Sequence, residues 1–296
     1  LRYITGKNGI VRRWLRAGAA GWRLDVADEL PDVFIDALTR AAKEEKPDAV
    51  VLGEVWEDAS NKCAYGQRRR YLLGGQLDSV MNYPLKDAIL RFVAGDGLAS
   101  AFGETVESLW RHYPKTVFNG LMNILGTHDT ERILTLLSQG VTPAEGRQRL
   151  FLALLPWALM PGIPCIYYGD ELGMEGGRDP ENRRCFQEEK GDSRISSHYK
   201  RILAFRNRIR DIEDMEFSPV FCEESYYVFQ RTGKGRRLLV ALNPGKRPRR
   251  LFFNLGEGER LKDFIISGSV RFLDLDTFEI GSCSGVAVYI VSEESR

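Results

Sequence analysis

The chain has 296 residues, 43% hydrophobic and 28% charged, enough to bury one large core and a smaller one. Its 42 basic and 41 acidic residues nearly cancel, so charge gives no reason to expect a nucleic-acid or anionic-membrane partner. The longest apolar stretch, Leu150 to Met160, runs into Pro161-Gly162 and falls short of a membrane span.

Five scattered cysteines without a CxxC pair, and only three histidines, argue against a zinc site. Free thiols suit a cytoplasmic setting. The chain opens on Leu1 rather than Met, so the lack of a signal peptide carries little weight.

In chain order, Ile10, Val11, Trp14 and Leu15 recur at helical spacing ahead of a short strand-like run at 19–24. A second helical face follows at Val33, Phe34, Ala37, Leu38 and Ala41, with Pro31 in first-turn position. Buried-strand patterns stand at 49–53, 77–81, 121–125 and 165–168. Helical stretches at 85–92, 98–110, 131–137 and 147–159 separate them, and an amphipathic helix at 198–209 closes the section. Five strands alternating with helices indicate a parallel α/β fold.

From about Glu213 the texture changes. Runs at 226–230, 238–242, 251–254, 270–273 and 286–291 are short and separated by Gly, Pro, Asn or Ser, the pattern of a small antiparallel β-sandwich. The expected domains are therefore 1–212 and 213–296. Trp14, Trp110 and Trp157 fall on apolar helical faces and are expected in the core. His112 and His198 are expected at the surface or as caps, and the cysteines as inert packing. The charge runs Arg68 to Arg70 and Lys246 to Arg250 are expected to be solvated.

Three carboxylates close strand-like runs: Asp25 in GWRLD, Glu54 in VVLGE and Asp129 in NILGTHD. In a (β/α)8 barrel the active residues sit at the C-terminal ends of several parallel strands, about 30 residues apart per unit. Asp25 and Glu54 are 29 positions apart, which suits neighbouring strands. Asp129 follows 75 later, which suits two strands further on with an insertion. Such a set fits glycosidic cleavage, where one carboxylate is ionised and another holds a proton. Arg23, two residues before Asp25 on the same strand face, would keep Asp25 charged. Glu54, near two other carboxylates, would be pushed the opposite way. Carboxylates at strand ends also serve as helix caps and ion-pair partners, and spacing alone leaves both readings open.

The sequence around these residues resembles the α-amylase superfamily of glycoside hydrolases. GWRLDVADE resembles its nucleophile motif, with Arg23 and Asp25 in place; LGEVWED resembles its acid/base motif, with Glu54 as the acid. NILGTHDTER resembles its third motif, with His128 and Asp129 as the sugar-clamping pair. PGIPCIYYGDELGMEG looks like the eighth barrel strand and its loop. The Trp after the acid and the pair Asp28-Glu29 look most like the neopullulanase, cyclomaltodextrinase and maltogenic amylase subgroup. That resemblance implies a retaining hydrolase of α-1,4-glucosidic bonds in maltooligosaccharides, cyclodextrins or starch-derived glucans. It also implies acceptor-side roles for Glu29 and Trp56 and donor-side roles for Asp179 and Arg183. The subgroup usually has Asn where Asp28 stands and His where Glu57 stands.

By the same resemblance the chain holds strands four to eight of a (β/α)8 TIM-type barrel, followed by the sandwich; the motif of the third strand is absent. A partial gene product, a chain that meets a separate N-terminal segment, and a non-catalytic relic that binds glucan are the three readings. A 4-α-glucanotransferase-type relative is a further one. The expected partner is an α-glucan oligosaccharide, with neither nucleic acid nor membrane, and a homodimer is allowed. No cofactor is required and no metal ligand is assigned, although calcium is compatible with the family.

Overall fold

A computed structural model describes residues 1–95 and 97–292, so the last four residues of the expected second domain lie outside the described ones. The chain divides into two compact units, Leu1–Pro84 with Ser108–Asn123, and Leu85–Glu107 with Ile124–Arg296.

In the first unit, helices α1 (Arg2–Thr5) and α2 (Ile10–Arg16) lead into β1 (Gly21–Leu24). Helix α3 (Asp32–Glu45) buries Ile35, Leu38 and Ala42 and returns the chain to β2 (Val50–Gly53). Pro31 stands one position earlier than expected, as the N-cap, with a non-helical ψ of 144°. A two-residue hairpin, β3 (Cys63–Ala64) and β4 (Gln67–Arg68), precedes β5 (Ser79–Val80). Strands β1, β2 and β5 form a parallel sheet in that order, with Leu24 opposite Gly53.

Two glycines allow this packing. A Cβ at Gly21 would lie 2.0 Å from the Val50 carbonyl oxygen, and one at Gly53 would lie 2.3 Å from Leu77 Cδ1. Helices α4 (Tyr83–Ala94), α5 (Ala99–His112) and α6 (Lys115–Asn119) follow, then β6 (Met122–Asn123). Met122 meets Met81 in a single parallel bridge. The expected strands do not join in one five-stranded ladder: the later ones are two residues long, room for little more than one bonded pair each.

In the second unit, α7 (Ile133–Leu137) precedes α8 (Pro143–Leu159), which opens on a capping box between Thr142 and Glu145. Strand β7 (Ile163–Pro164) lies two residues before the expected run at 165–168. Those residues are irregular because Tyr167 and Tyr168 turn to enclose Arg132, at 4.4 and 4.7 Å from its guanidinium carbon. Helix α9 (Ser193–Arg208) starts on Asp192, whose carboxylate accepts from the Arg194 N–H.

Eight antiparallel strands follow: β8 (Glu216–Glu223), β9 (Tyr226–Gly233), β10 (Arg236–Asn243), β11 (Arg249–Phe252), β12 (Glu259–Ser267), β13 (Val270–Asp274), β14 (Thr277–Ile280) and β15 (Ser284–Ser292). They make a five-stranded sheet, β12-β15-β10-β9-β8, and a three-stranded one, β11-β14-β13. Val286, Val288 and Ile290 alternate along β15 into one buried cluster with Leu239, Phe253 and Phe278.

Several side-chain expectations are corrected. Trp157 is buried, but Trp14 is 61% exposed and Trp110 only partly covered. Cys63, Cys185 and Cys222 are exposed free thiols rather than packing residues. Arg69 is buried within its charge run, donating to the carbonyl oxygens of Asp28 and Leu30. Tertiary acceptors, invisible in the run itself, decide which of three neighbouring arginines goes inside.

His198 is buried rather than superficial. It stacks on Phe151 with ring centroids 4.4 Å apart, and its Nε2 lies 2.9 Å from the Ser267 hydroxyl. Burial, helped by nearby Arg201, pushes its pKa down from 6.5 to about 4. Protonation therefore opposes the folded state, so stability is complete above pH 6.5 and is lost as pH falls toward 4. The full effect is about 3 kcal/mol. Urea unfolding across this window should show that loss, and His198→Gln should flatten it; an unchanged slope would contradict the assignment.

Candidate active site

Leu24 and Gly53 are paired at the ends of β1 and β2, so the next residues, Asp25 and Glu54, emerge side by side at the same edge of the parallel sheet. Asp25 is 72% exposed and Glu54 only 4%. The Arg23 guanidinium bridges them. Its Nη1 pairs with Asp25, and its Nη2 lies 3.1 Å from Glu54 Oε2.

The remaining contacts fix Glu54 closely. The Val26 N–H donates to Oε2 at 2.9 Å, and the Trp56 indole N–H donates to Oε1 at 3.0 Å. The Tyr83 hydroxyl approaches Oε1 at 3.5 Å, and its ring stacks on Trp56 at 4.6 Å. Main-chain bonds tie the two strand ends together: Glu54 N–H to the Leu24 carbonyl at 3.0 Å, and Ala27 N–H to the Glu54 carbonyl at 3.1 Å. Val26 reaches this position in a left-handed conformation, φ 44°, unusual for a β-branched residue and costing about 1–3 kcal/mol.

Beside these carboxylates the 3₁₀ turn Ala27–Glu29, Trp56 and the hairpin line a cavity of about 470 Å³. Glu29 and Trp56 both face it. Asp28 and Glu57, the two departures from the subgroup pattern, share one partner. Lys62 Nζ lies 3.0 Å from Asp28 Oδ2 and also pairs with Glu57. Asp28 further accepts from the Tyr71 hydroxyl at 2.7 Å, and burial pushes the Tyr71 pKa well up. The Tyr65 hydroxyl donates to Glu29, and that bond raises the Tyr65 pKa.

The other set lies wholly in the second unit. His128 Nε2 is 3.1 Å from Asp129 Oδ2, and Arg183 Nη2 lies 3.2 Å from Asp129 Oδ1 and 3.3 Å from Asp179 Oδ2. Asp129 and Asp179 line a second cavity, of about 700 Å³. The turn carrying this set is pinned from behind. Asn182 Nδ2 donates to the His128 and Thr130 carbonyls at 2.7 and 2.9 Å, and Arg183 Nε donates to the His128 carbonyl at 3.0 Å.

Arg132, fully buried, donates to the Tyr168 carbonyl and lies 3.1 Å from Asp170. Burial pushes the Asp170 pKa up to about 7, against the pull of Arg132. Gly126 leaves room for that carboxylate: a Cβ there would lie 2.1 Å from Asp170 Oδ2.

Tyr83, Lys62, Tyr65, Arg132 and Asn182 are contacts that sequence reasoning did not single out. Only Tyr83 carried a signal, standing just after a predicted strand end. Among the described residues, no group of three or more His, Cys, Asp or Glu side chains is placed to hold a metal ion. Nor, among them, is any helix long and apolar enough to cross a membrane.

Two parallel strands offering a guanidinium-bridged Asp and Glu at one edge have the arrangement of a carboxylate-pair glycosidase. Residues 4–216 match the α-amylase catalytic domain model, and the chain belongs to that family. The family carries a TIM-barrel catalytic domain and a β-sandwich. The chain is similar to a cyclomaltodextrinase of Thermoanaerobacter pseudethanolicus, 37% identical over 261 residues, covering 86% of this chain and 43% of that protein. It is also similar to neopullulanase 2 of Thermoactinomyces vulgaris, 37% identical over 239 residues, covering 79% and 38%. Among solved structures it resembles the cyclic α-maltosyl-(1→6)-maltose hydrolase of Arthrobacter globiformis, with TM-score 0.78 and 26% identity, covering 94% of this chain and 58% of that one. The chain spans about two-fifths of the length of these curated relatives.

Proposed function

We propose that the chain carries the catalytic pair of a retaining hydrolase acting on α-1,4-glucosidic bonds in maltooligosaccharides, cyclodextrins or starch-derived glucans. The observation behind it is the Arg23 bridge between Asp25 and Glu54 at the ends of adjacent parallel strands. A single guanidinium spanning both favours the short separation of a retaining pair, about 5–5.5 Å, over the 6.5–9.5 Å or so of an inverting pair.

In this reading Asp25 attacks the anomeric carbon while Glu54 gives its proton to the leaving glycosidic oxygen. Water then forms a new bond to that carbon, the ester to Asp25 breaks, and Glu54 takes the water proton. His128 and Asp129 hold sugar hydroxyls, Asp179 and Arg183 serve the donor side, and Glu29 and Trp56 serve the acceptor side. The names of the relatives support the substrate class, since they include cyclomaltodextrinase and neopullulanase. The strands β1, β2, β5, β6 and β7 would be strands four to eight of the family barrel, and residues 213–296 the sandwich domain. Free cysteines suit a cytoplasmic location. Calcium would be structural only, and a homodimer is compatible with this reading.

Incubation of the complete enzyme with maltotriose and β-cyclodextrin, with products resolved by chromatography, is expected to release glucose and maltose. Hydrolysis of sucrose or trehalose with maltotriose left intact would overturn the substrate class.

A further inference from the structure

The hairpin of β3 and β4 is tied to the turn after β1 at two places of different character. At its base, Lys62 is only 19% exposed and serves two carboxylates, Asp28 and Glu57, while Tyr71 holds Asp28 from another side. At its tip, Tyr65 is 75% exposed. It sits at φ 53° beside Gly66 at φ 73°, the left-handed pair of a two-residue hairpin turn. Among the described residues, the bond from its hydroxyl to Glu29 is the only hydrogen bond that ties the tip to the turn. Two ion pairs hold the base and one hydrogen bond holds the tip.

Both sides of the tip contact line the cavity of about 470 Å³ that also holds Trp56 and Glu57. Tyr65 offers the Glu29 carboxylate one donor. Neighbouring hydroxyls of a sugar ring offer two, to an acceptor with room for both.

We propose that the Tyr65–Glu29 hydrogen bond is a latch that closes the hairpin over the cavity, and that a saccharide acceptor opens it by taking the Glu29 carboxylate for its own hydroxyls. Water needs no such opening. Tyr65 is thus a positioning residue that biases the choice between water and a second sugar as acceptor. The inference rests on the α-glucosidase reading of this site. In transfer, the bond from the anomeric carbon to Asp25 breaks, a bond to the acceptor oxygen forms, and the acceptor proton passes to Glu54.

Two measurements on the full chain test it. With maltotriose as donor and added maltose below saturation, Tyr65→Phe is expected to raise the ratio of transfer to hydrolysis about three- to tenfold, the worth of one modest hydrogen bond. In limited digestion with trypsin, the same variant is expected to be cut after Arg68 several-fold faster than the unmodified protein. Maltose should speed that cleavage in the unmodified protein and not in the variant.

Lys62→Met, which frees the base, should be cut faster still. Equal cleavage of Tyr65→Phe and the unmodified protein overturns the latch, as does an unchanged transfer ratio. A complete enzyme inert toward maltotriose would refute the hydrolase reading, while digestion with and without maltose still decides the latch.

Discussion

Replacing Asp25 with Asn is expected to lower hydrolysis of maltotriose by about 10⁴-fold or more, the scale on which a hydrolase suffers from loss of its nucleophile. Glu54→Gln should cost about 10²–10⁴-fold, the usual contribution of a positioned general acid. Added azide separates the two roles. In the Glu54 variant it can attack the glycosyl ester on Asp25 and give an α-azide, by two inversions. In an Asp25 variant it replaces the missing carboxylate directly and gives the β-azide. Proton NMR of the anomeric position reads the difference. Losses under tenfold in both variants, or the same azide from each, would return Asp25 and Glu54 to a purely structural role beside Arg23.

The second large effect concerns stability. Arg132 is fully buried between Tyr167 and Tyr168 and faces Asp170, itself buried. Arg132→Met keeps most of the volume but leaves a buried carboxylate without its cation, which is expected to cost about 3–5 kcal/mol at pH 8. The penalty should shrink toward pH 5. The Asp170 pKa of about 7 lies above its unfolded value of 3.8, so the folded state holds the proton more tightly. Stability from this group is complete below about pH 4 and is lost as pH rises through 7. At pH 5 the carboxyl is neutral with or without its partner, so less is forfeited. Denaturant unfolding at pH 5 and pH 8 measures both limits, and a loss below 1 kcal/mol at pH 8 would contradict the role given to the pair.

The placement of Asp25 and Glu54 at neighbouring strand ends was legible because strand-like runs recur with the length of a βα unit, whereas the chemistry assigned to them came from the motifs around them, which spacing alone could not supply. The helices α3, α8 and α9 were legible because their apolar faces repeat over three turns or more. The β3–β4 hairpin was not, since two-residue strands carry no periodicity and Tyr65-Gly66 lacks the usual Asn-Gly signature. Strands β8 and β12 escaped because they lie at the edges of their sheet, where alternation weakens and charged residues such as Asp263 and Lys262 are tolerated. His198 escaped for another reason. Its helix face was legible, but the hydroxyl that makes an imidazole acceptable inside comes from Ser267, 69 residues away.

The locked ends of β1 and β2 also bear on how the pair comes into being. Every bond that orients Glu54 against β1 and its turn joins residues 27 to 31 positions apart in the chain. Closing a loop of that length is entropically cheap, and doubling it would add only about 0.6 kcal/mol. One strand, one helix and a second strand therefore suffice to bring the two carboxylates together. The pair is thus the product of a single β–α–β unit of the chain.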